Sequence, residues 1–218
     1  MAHLIAYFGG SFDPIHWGHL ATANELVKHF SLQKLYFLPA YLSPLKRQSL
    51  ASHHRVAMLQ LAIAGSPQLA IDDRELQRPP PSYTIDTLKA LRQEHGERQP
   101  LAFIMGMDSF LTLPQWQQWQ QLTDYAHLII VTRPGYTPDF CRELQEWTNK
   151  HRCNRRQMLQ CEVKGYLYFV TTSPYAISSS AIRAQLAHDK TAHPMLPPAV
   201  ADYIYHHHLY GVTASNES

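Results

Sequence analysis

The sequence predicts an α/β fold in which a doubly wound, mostly parallel sheet is flanked by helices. Short apolar runs recur along the 218 residues, and longer amphipathic stretches separate them. Each run is too short for a typical helix and is rich in aliphatic or aromatic residues, as expected of strands that are buried on both faces. Strands that alternate with helices form parallel sheets, because the connection between parallel strands is usually a helix.

Six apolar runs are the predicted strands, over Leu4–Phe8, Lys34–Leu38, Leu69–Ile71, Leu101–Met105, Leu128–Thr132 and Leu167–Thr171. Seven amphipathic stretches are the predicted helices, over Trp17–Phe30, His53–Ala64, Thr84–His95, Gln115–Gln121, Pro138–Lys150, Ser179–Ala187 and Pro198–His208. The polar stretch from Asn149 to Gly165 is predicted to be a solvated excursion at the surface.

Length and composition favour one compact folding unit. We expect residues 1–218 to form a single domain, with C-terminal helices from about residue 178 to residue 210 packed on its core. Hydrophobic residues make up 45% of the chain and charged residues 17%, which is ordinary for a globular protein. A formal charge of +2 is too small for a surface that binds nucleic acid. Any anion that the protein binds is therefore expected to be small.

Cysteine usage and hydropathy predict a cytoplasmic, soluble protein. Cys141, Cys153 and Cys161 contain no C-x-x-C pair, and an odd count does not suggest a disulfide framework. No apolar stretch approaches the roughly 20 residues that a membrane-spanning helix requires. The N-terminal residues have the pattern of a first strand rather than of a signal sequence. We therefore expect no membrane partner.

The most informative segment runs from Gly9 to His19 and reads Gly-Gly-Ser-Phe-Asp-Pro-Ile-His-Trp-Gly-His. It follows the first predicted strand and opens the first helix. In an open parallel sheet, ligands bind beyond the carboxyl ends of the strands, where a helix start offers unpaired N–H groups and a positive dipole end. Gly9 and Gly10 would let the backbone come close to a ligand, and Gly18 would keep one face of the helix thin.

The two histidines of this segment suit phosphate chemistry. His16 and His19 are three residues apart, so a helix that begins near Ile15 would direct both imidazoles to one side, towards one anion. Transfer of a nucleotidyl group needs negative charge to be neutralised at the attacked phosphate, and it needs little covalent help. Taken singly, these residues also allow a plain turn, a structural metal site, or a histidine that satisfies a buried carbonyl.

A second candidate anion site lies near the other end of the chain. Ile177–Arg183 reads Ile-Ser-Ser-Ser-Ala-Ile-Arg, follows the last predicted strand and begins a helix. Three hydroxyls fall in the capping region, and Arg183 lies one turn inside. By themselves, the serines could be helix caps and nothing more.

Together, the two segments resemble the nucleotidylyltransferase superfamily, whose signature H-x-G-H occurs here in the longer form G-G-[ST]-F-D-P-x-H-x-G-H, followed by I-S-S-[ST]-x-I-R. The resemblance implies a Rossmann-like fold, ATP as the donor and catalysis by His16, His19 and Arg183. It also implies Mg²⁺ that arrives with ATP, without a dedicated protein cage. The implied ATP-binding residues are Gly9, Gly10, Ser11, Phe12, His16, Gly18, His19, Gly106, Asp108, Ile177, Ser179, Ser180 and Arg183.

Three middle segments resemble the nicotinate mononucleotide adenylyltransferases: Pro81–Leu88, Gly106–Ser109 with Leu113 and Trp116 downstream, and Val131–Gly135. With the phosphate motifs, the likeness covers most of the chain. It implies direct in-line transfer of AMP from ATP to nicotinate mononucleotide, which gives deamido-NAD and pyrophosphate in NAD biosynthesis. The alternatives are another acceptor, such as phosphopantetheine or nicotinamide mononucleotide, and a nucleotide-binding module without turnover. Whether the protein is a monomer or a homo-oligomer is left open.

The resemblance assigns acceptor binding to Lys46, Ser82, Tyr83, Thr84, Trp116 and Arg133. It implies that Thr84 and nearby amides hold the nicotinate carboxylate, and that Trp116 stacks on the pyridine ring while Trp119 packs in the core. Structural roles remain open for several of these residues. Ser82, Thr84 and Asp108 could be helix caps, the two tryptophans could be a core pair, and Arg133 could belong to a surface turn.

The chain departs from this family over Pro39–Lys46. Relatives carry an Asn soon after this proline and a P-P-H-[KR] run, whereas this chain has Ala40 and Tyr41, then Ser-Pro-Leu before Lys46. The departure leaves room for a changed preference between acid and amide acceptors. The run His206–His208 is expected to have a surface or packing role, because consecutive helix positions point in different directions and make a poor metal site.

Overall fold

The computed structural model describes residues 3–41, 50–132, 135, 139–173, 177–187 and 194–212. Its strands are β1 (Ile5–Gly10), β2 (Leu35–Pro39), β3 (Leu69–Ile71), β4 (Leu101–Gly106), β5 (His127–Thr132) and β6 (Leu167–Thr171). Its α-helices are α1 (Trp17–Phe30), α2 (Ser52–Ile63), α3 (Thr84–His95), α4 (Met107–Leu111), α5 (Arg142–His151), α6 (Met158–Cys161), α7 (Ser179–Leu186) and α8 (Pro198–His206). The predicted α/β fold is confirmed.

All six strands form one sheet in the order β3-β2-β1-β4-β5-β6, and each neighbouring pair is parallel. The chain moves outwards from β1 to β3, crosses back to the other side of β1, and then moves outwards to β6. This strand order belongs to the doubly wound Rossmann-like fold, in which ligands bind at the point where the winding direction reverses. The reversal lies between β1 and β4, so the carboxyl ends of these strands are where a site is expected.

Side chains alternate between the two faces of the sheet. On β1, Ala6 and Phe8 pack with α1, α2, α7 and α8, while Tyr7 packs on the opposite face with α3, α4 and α5. On β4, Ile104 lies on the first face and Phe103 on the second. This alternation follows from the two-residue period of a strand. Both faces are therefore covered by helices.

The C-terminal helices lie against the sheet. Ile182 of α7 and Val200 and Ile204 of α8 are each 0% exposed, and they belong to the same apolar cluster as α1. Both helices therefore pack on the core at this face of the sheet. No helix in the described ranges is long and apolar enough to cross a membrane.

The six predicted strands are confirmed, with ends that differ by two residues or fewer. The predicted helix Gln115–Gln121 is wrong. Two short 3₁₀ helices, Leu113–Gln115 and Trp119–Asp124, occupy this region, and Gln118 before the second has a left-handed φ of 49°. A left-handed residue interrupts helical geometry, so the apolar spacing that suggested one helix is coincidental.

Other helix predictions need smaller corrections. The helix expected over Pro138–Lys150 begins only at Arg142, while Pro138 itself lies outside the described residues. The short helices α4 and α6 and the 3₁₀ helix Leu209–Gly211 were not predicted. The excursion from Asn149 to Gly165 is mostly exposed, but Leu159 is 0% exposed and anchors it in the core.

His127 shows how the sheet handles a buried polar side chain. Its ring is 0% exposed at the start of β5, Nδ1 accepts from the backbone N–H of Tyr166 at 3.2 Å, and Nε2 contacts the carbonyl oxygen of Glu162 at 3.0 Å. Nε2 therefore donates, which corresponds to a neutral ring. Burial lowers the pKa of His127 to about 4.

We expect the free energy of unfolding to fall as the pH falls from about 6.5 to about 4. The unfolded chain protonates His127 near its ordinary pKa of 6.5, whereas the folded chain resists protonation until about pH 4. Between these values the unfolded state binds more protons, which removes about 3 kcal/mol of stability. Urea unfolding of the wild type and of His127→Gln across this range checks the expectation. The variant should show a shallower decline, and an identical decline would contradict it.

Candidate active site

A cleft of about 1120 Å³ opens at the carboxyl edge of the sheet, at the reversal between β1 and β4. The loop after β1, the end of β4 and the starts of α3 and α7 form its walls. The predicted site residues that line it are Gly9, Gly10, Ser11, Phe12, His16, Gly18, His19, Ser82, Tyr83, Thr84, Gly106, Asp108, Trp116, Ile177, Ser179, Ser180 and Arg183. Lys46 and Arg133 lie outside the described residues. Residues that are distant in sequence therefore share one cavity.

The two histidines lie together at the start of α1. Their ring centroids are 3.7 Å apart with an interplanar angle of 22°, so the rings are stacked. The helix begins at Trp17 rather than near Ile15, and His16 is its N-cap residue. Nδ1 of His16 accepts from the backbone N–H of His19 at 3.3 Å. Because Nδ1 accepts this bond, it carries no proton, and the ring N–H of His16 is at Nε2.

Gly18 permits this arrangement. A Cβ atom at Gly18 would lie 3.0 Å from Nδ1 of His16 and 3.5 Å from Cβ of Ile177. A side chain at this position would therefore press on the His16 ring and would contact Ile177. The space that the missing side chain of Gly18 leaves is bounded by His16 and Ile177 of the protein itself.

The need for glycine at positions 9 and 10 has a different cause from the one expected. A Cβ atom at Gly9 would overlap the ring of Phe103, and one at Gly10 would lie 2.8 Å from Cζ of Phe12. Both glycines line the cleft, but aromatic rings of the protein fill the space that their missing side chains leave. Packing within the protein therefore accounts for the Gly-Gly pair.

At the start of α7, the serines divide between capping and tertiary contact. The Ser178 hydroxyl is the helix cap, since it accepts from the N–H of Ala181 at 3.1 Å. Ser179 Oγ instead donates to the carbonyl oxygen of Pro14 at 3.0 Å. Only one of the three serines thus has the capping role that the sequence left open for all of them. Ser179 ties α7 to the loop after β1.

Arg183 makes a second connection between α7 and the first loop. Its Nη1 donates to the carbonyl oxygen of Asp13 at 2.6 Å, and its Nη2 donates to Ser180 Oγ at 3.2 Å. A guanidinium has five N–H groups in a planar fork, so two bonds within the protein leave others for an anion in the cleft. The loop carbonyl therefore sets the direction of this cation.

Arg55, which no sequence motif indicated, holds the loop after β1 in place through hydrogen bonds to backbone carbonyl oxygens. Arg55 is 1% exposed and donates to three carbonyl oxygens: Leu50 at 3.0 Å, Ser11 at 2.8 Å and Tyr41 at 2.9 Å. Leu50 and Tyr41 flank the undescribed residues 42–49, and Ser11 belongs to the loop after β1. An Arg three and four residues before the buried Met58 and Leu59 of α2 is the signal that could have identified it.

The start of α3 forms another part of the cleft wall. Tyr83 is the N-cap residue without a side-chain cap bond, and Thr84 is the first helical residue, so neither Thr84 nor Ser82 caps the helix. Ser82 Oγ donates to the carbonyl oxygen of Glu75 at 3.3 Å. No side chain caps the first N–H groups of α3, and this end of the helix faces the cleft.

Glu75 lines the cleft and was not predicted from the sequence. It is 4% exposed, its Oε1 accepts from Thr87 Oγ1 at 2.7 Å, and Arg78 Nη2 donates to the same hydroxyl at 2.6 Å. Burial raises the pKa of Glu75, and the Thr87 hydroxyl and the Arg78 charge oppose that shift. This network joins the loop before α3 to the first turn of the helix.

The two tryptophans have different environments. Trp116 is half-buried and lines the cleft. Trp119 is 7% exposed and packs edge-on against Trp147, with centroids 5.1 Å apart. The expected packing role of Trp119 is confirmed. Asp108 is exposed at the cleft, and Gly106 is the N-cap of α4, so the alternative in which Asp108 caps that helix is wrong.

Other residues that the sequence singled out lie away from the cleft. His206, His207 and His208 are exposed, and the His207 ring lies 4.2 Å from that of Tyr203, in agreement with a surface or packing role. Within the described ranges, no group of three or more His, Cys, Asp or Glu side chains could hold a metal ion. All three cysteines are free thiols.

The chain is similar in sequence to a known protein family and to several of its members. The model of the cytidylyltransferase-like family matches residues 7–185. A relative from Marinomonas sp. (strain MWYL1), which carries the name nicotinate-nucleotide adenylyltransferase, is 42% identical over 207 residues, 94% of each chain. A relative of the same name from Serratia proteamaculans (strain 568) is 43% identical over 209 residues, 95% of each chain.

Solved structures share the fold. The nicotinic acid mononucleotide adenylyltransferase of Plasmodium falciparum, complexed with NaAD, superposes with a TM-score of 0.74 at 21% identity, covering 96% of this chain and 98% of that one. The same enzyme complexed with APC superposes with a TM-score of 0.71 at 20% identity, covering 97% and 98%. At this level of identity, the superposition establishes a common architecture.

We expect Arg55→Met to lower the free energy of unfolding by about 3 kcal/mol or more, because it removes a buried guanidinium that donates to three part-buried carbonyl oxygens. Arg142→Met is the matched control. The Arg142 side chain is 91% exposed and pairs with Glu146 on the surface of α5, so its loss should leave stability nearly unchanged. Urea unfolding of both variants checks the difference. Equal stabilities would contradict the role assigned to Arg55.

Proposed function

This chain belongs to the cytidylyltransferase-like family and, within it, to the nicotinate-nucleotide adenylyltransferases, and we propose that the cleft between β1 and β4 is its active site. The enzyme transfers AMP from ATP to nicotinate mononucleotide, with deamido-NAD and pyrophosphate as products, in the biosynthesis of NAD. One observation carries the assignment of the site: the stacked imidazoles of His16 and His19 and the guanidinium of Arg183 line the same cavity.

The donor end lies between the first loop and α7. The proposed ATP-binding residues surround a cavity that holds several hydrogen-bond donors: the imidazole N–H of His16, the N–H groups of Arg183 and the hydroxyl of Ser180. Since the Ser179 hydroxyl donates to Pro14, Ser179 would contribute its backbone N–H at the start of α7. Donors of this kind suit phosphate oxygens, and a guanidinium matches them with two parallel bonds. We place the β- and γ-phosphates against the start of α7 and the α-phosphate near the histidines.

The acceptor end lies against the start of α3. Backbone N–H groups at the beginning of a helix bind anions, and the nicotinate carboxylate is the anion that distinguishes this acceptor from its amide. Thr84 and the neighbouring amides would hold that carboxylate, and Trp116 would stack on the pyridine ring. Lys46 and Arg133 keep the acceptor-binding role that the sequence predicts, as proposals from the motifs.

The reaction that suits this site is a direct in-line displacement. A phosphate oxygen of nicotinate mononucleotide attacks the α-phosphorus of ATP, the new P–O bond forms, and the bond to the β-phosphate breaks as pyrophosphate leaves with the electron pair. His16 and His19 donate hydrogen bonds to the α-phosphate as charge builds up, and Arg183 stabilises the departing pyrophosphate. No covalent intermediate on the protein is needed.

We propose Mg²⁺ as the metal of this reaction, carried into the cleft on the phosphates of ATP. The groups that line the donor end are imidazoles, hydroxyls and a guanidinium, which fit phosphates better than they fit a bare cation. Mg²⁺ commonly keeps its water ligands and binds through substrate phosphates. It would neutralise charge on the pyrophosphate that leaves.

The comparison that tests this function uses the purified protein with ATP and Mg²⁺ and measures pyrophosphate release with three acceptors. Nicotinate mononucleotide should give rapid release, and nicotinamide mononucleotide should give slower release because it lacks the carboxylate. Phosphopantetheine should give none. If pyrophosphate is released only with phosphopantetheine, that compound and not nicotinate mononucleotide is the acceptor. If none of the three acceptors gives release, the protein is better described as a nucleotide-binding module without turnover.

We expect His19→Ala to lower turnover by about 10²–10³-fold, which is the usual effect of removing a donor that is already positioned for the transition state. Circular dichroism should show an unchanged fold. His206→Ala is the control, because His206 is an exposed histidine on α8, outside the cleft. Near-normal turnover in folded His19→Ala would overturn the role given to this residue.

The two tryptophans give a second pair of variants. Trp116→Ala should raise KM for nicotinate mononucleotide about 2–10-fold through lost stacking, with little change in stability. Trp119→Ala should instead lower the free energy of unfolding by about 3–5 kcal/mol, because its ring is buried against Trp147. Steady-state kinetics and urea unfolding separate the two effects. The assignment fails if Trp116→Ala leaves KM for this acceptor unchanged.

A further inference from the structure

The geometry points to Tyr210, in the C-terminal turn, as a positioning residue for the ATP end of the cleft. Its hydroxyl fixes the Asp13 carboxylate, and thereby the Asp13 carbonyl oxygen that orients Arg183. The inference rests on the proposed function of the cleft. It adds a residue that lies outside both phosphate motifs and beyond the last α-helix, in the 3₁₀ turn Leu209–Gly211.

Asp13 is the point at which three distant segments meet. It is 7% exposed, its Oδ1 accepts from the Tyr210 hydroxyl at 2.6 Å, and its Oδ2 accepts from the N–H of Leu50 at 3.2 Å. Its carbonyl oxygen accepts from Arg183 Nη1 at 2.6 Å. One residue of the first loop therefore receives donors from the C-terminal turn, from the start of the α2 region and from α7. A shift of the carboxylate would also move the carbonyl.

The backbone at Tyr210 is held in an uncommon conformation. Its φ of 59° and ψ of 27° are left-handed values that L-residues adopt rarely and at a cost. Leu209 and Val212 on either side are 8% and 5% exposed and belong to the core cluster. The core therefore anchors the turn, and the side chain of its strained residue reaches the first loop.

Charge favours a hydroxyl that stays protonated and donates. Burial raises the pKa of Tyr210, and the Asp13 carboxylate raises it further. The guanidinium of Arg55 balances the carboxylate, since the Asp13 charge opposes the lowering of the Arg55 pKa by burial. The phenol is thus a neutral donor to a buried anion, a type of hydrogen bond that is stronger than one between neutral groups.

A series of hydrogen bonds links Tyr210 to the proposed phosphate site. Tyr210 donates to Asp13, Arg183 donates to the Asp13 carbonyl oxygen, and Arg183 Nη2 donates to Ser180 Oγ at 3.2 Å. Asp13 also precedes His16 by only three residues. Loss of the phenol hydroxyl would leave a buried carboxylate short of a donor, and the loop would rearrange to supply one. Arg183 would then lose its fixed acceptor, although no group that touches ATP has been changed.

Tyr203 provides a matched control on the same C-terminal segment. It is a half-buried tyrosine of α8 that packs against the same core cluster as Tyr210. Its hydroxyl is hydrogen-bonded to Nδ1 of His54 at 2.9 Å, and neither residue lines the cleft. Tyr203→Phe therefore removes a comparable hydrogen bond that involves neither Asp13 nor Arg183.

The experiment compares Tyr210→Phe and Tyr203→Phe with the wild type in pyrophosphate release, varying ATP and nicotinate mononucleotide separately. Tyr210→Phe should lower kcat/KM for ATP about tenfold or more, as expected for loss of a hydrogen bond to a charged group. KM for nicotinate mononucleotide should change less than about twofold. Tyr203→Phe should change neither constant. If the two variants behave alike, or if both substrates are affected equally, the inference is overturned.

A double-mutant cycle separates positioning from stability. If Tyr210 acts through Arg183, then Arg183→Lys should lower kcat/KM for ATP strongly in the wild type and in Tyr203→Phe, but only slightly in Tyr210→Phe. If the decrease in kcat/KM for ATP in the double variant equals the product of the decreases in the two single variants, the inference is overturned, even if Tyr210→Phe is less stable. Binding of a non-hydrolysable ATP analogue, measured by calorimetry below the unfolding temperature, gives the same comparison without turnover. An inactive wild type would count against the proposed function, whereas an active wild type with an unaffected Tyr210→Phe would count only against this inference.

Discussion

The loop between β1 and α1 buries carbonyl oxygens and a carboxylate at the rim of the sheet, and buried polar groups must have partners. Arg55 binds the Ser11 carbonyl, Arg183 binds the Asp13 carbonyl, and Tyr210 binds the Asp13 side chain. These donors come from α2, from α7 and from the C-terminal turn, so the loop has its shape only when the rest of the chain has folded around it. The stacked histidines follow directly from this loop, and their position depends on the same contacts.

The two sides of the cleft are built differently. On one side, the Ser179 hydroxyl and the Arg183 guanidinium tie α7 to the backbone of the loop after β1. On the other side, the Glu75–Thr87–Arg78 network holds the start of α3, and Trp116 lines the cleft. The sides meet where the winding direction of the sheet reverses, because only there do loops from both halves of the fold converge. An enzyme that brings two nucleotides together needs such a meeting point.

Much of this could be predicted locally. Strands that are buried on both faces must be apolar, so the six runs identified the sheet, and the two phosphate motifs identified residues that line the cleft. Prediction failed where local pattern and tertiary packing disagree. The spacing of Trp116 and Trp119 suggested one helix, but Gln118 is left-handed and the rings separate, one into the cleft and one onto Trp147. Gly9 and Gly10 were assigned to ligand approach, yet the rings of Phe103 and Phe12 use their space.

The sequence by itself determined the α/β class, the order of the elements and the family, because hydrophobic period and contiguous motifs are local properties of the chain. It also identified the two segments, Gly9–His19 and Ile177–Arg183, whose residues line the cleft. Tertiary structure alone decided which partners Arg55, Glu75 and Tyr210 have: Glu75 lines the cleft, and Arg55 and Tyr210 bind the loop after β1. Each is an isolated residue whose importance lies in a partner 12 to 197 positions away, such as Thr87 for Glu75 or Asp13 for Tyr210. No local pattern records such a partner, since folding selects it when it buries both groups together.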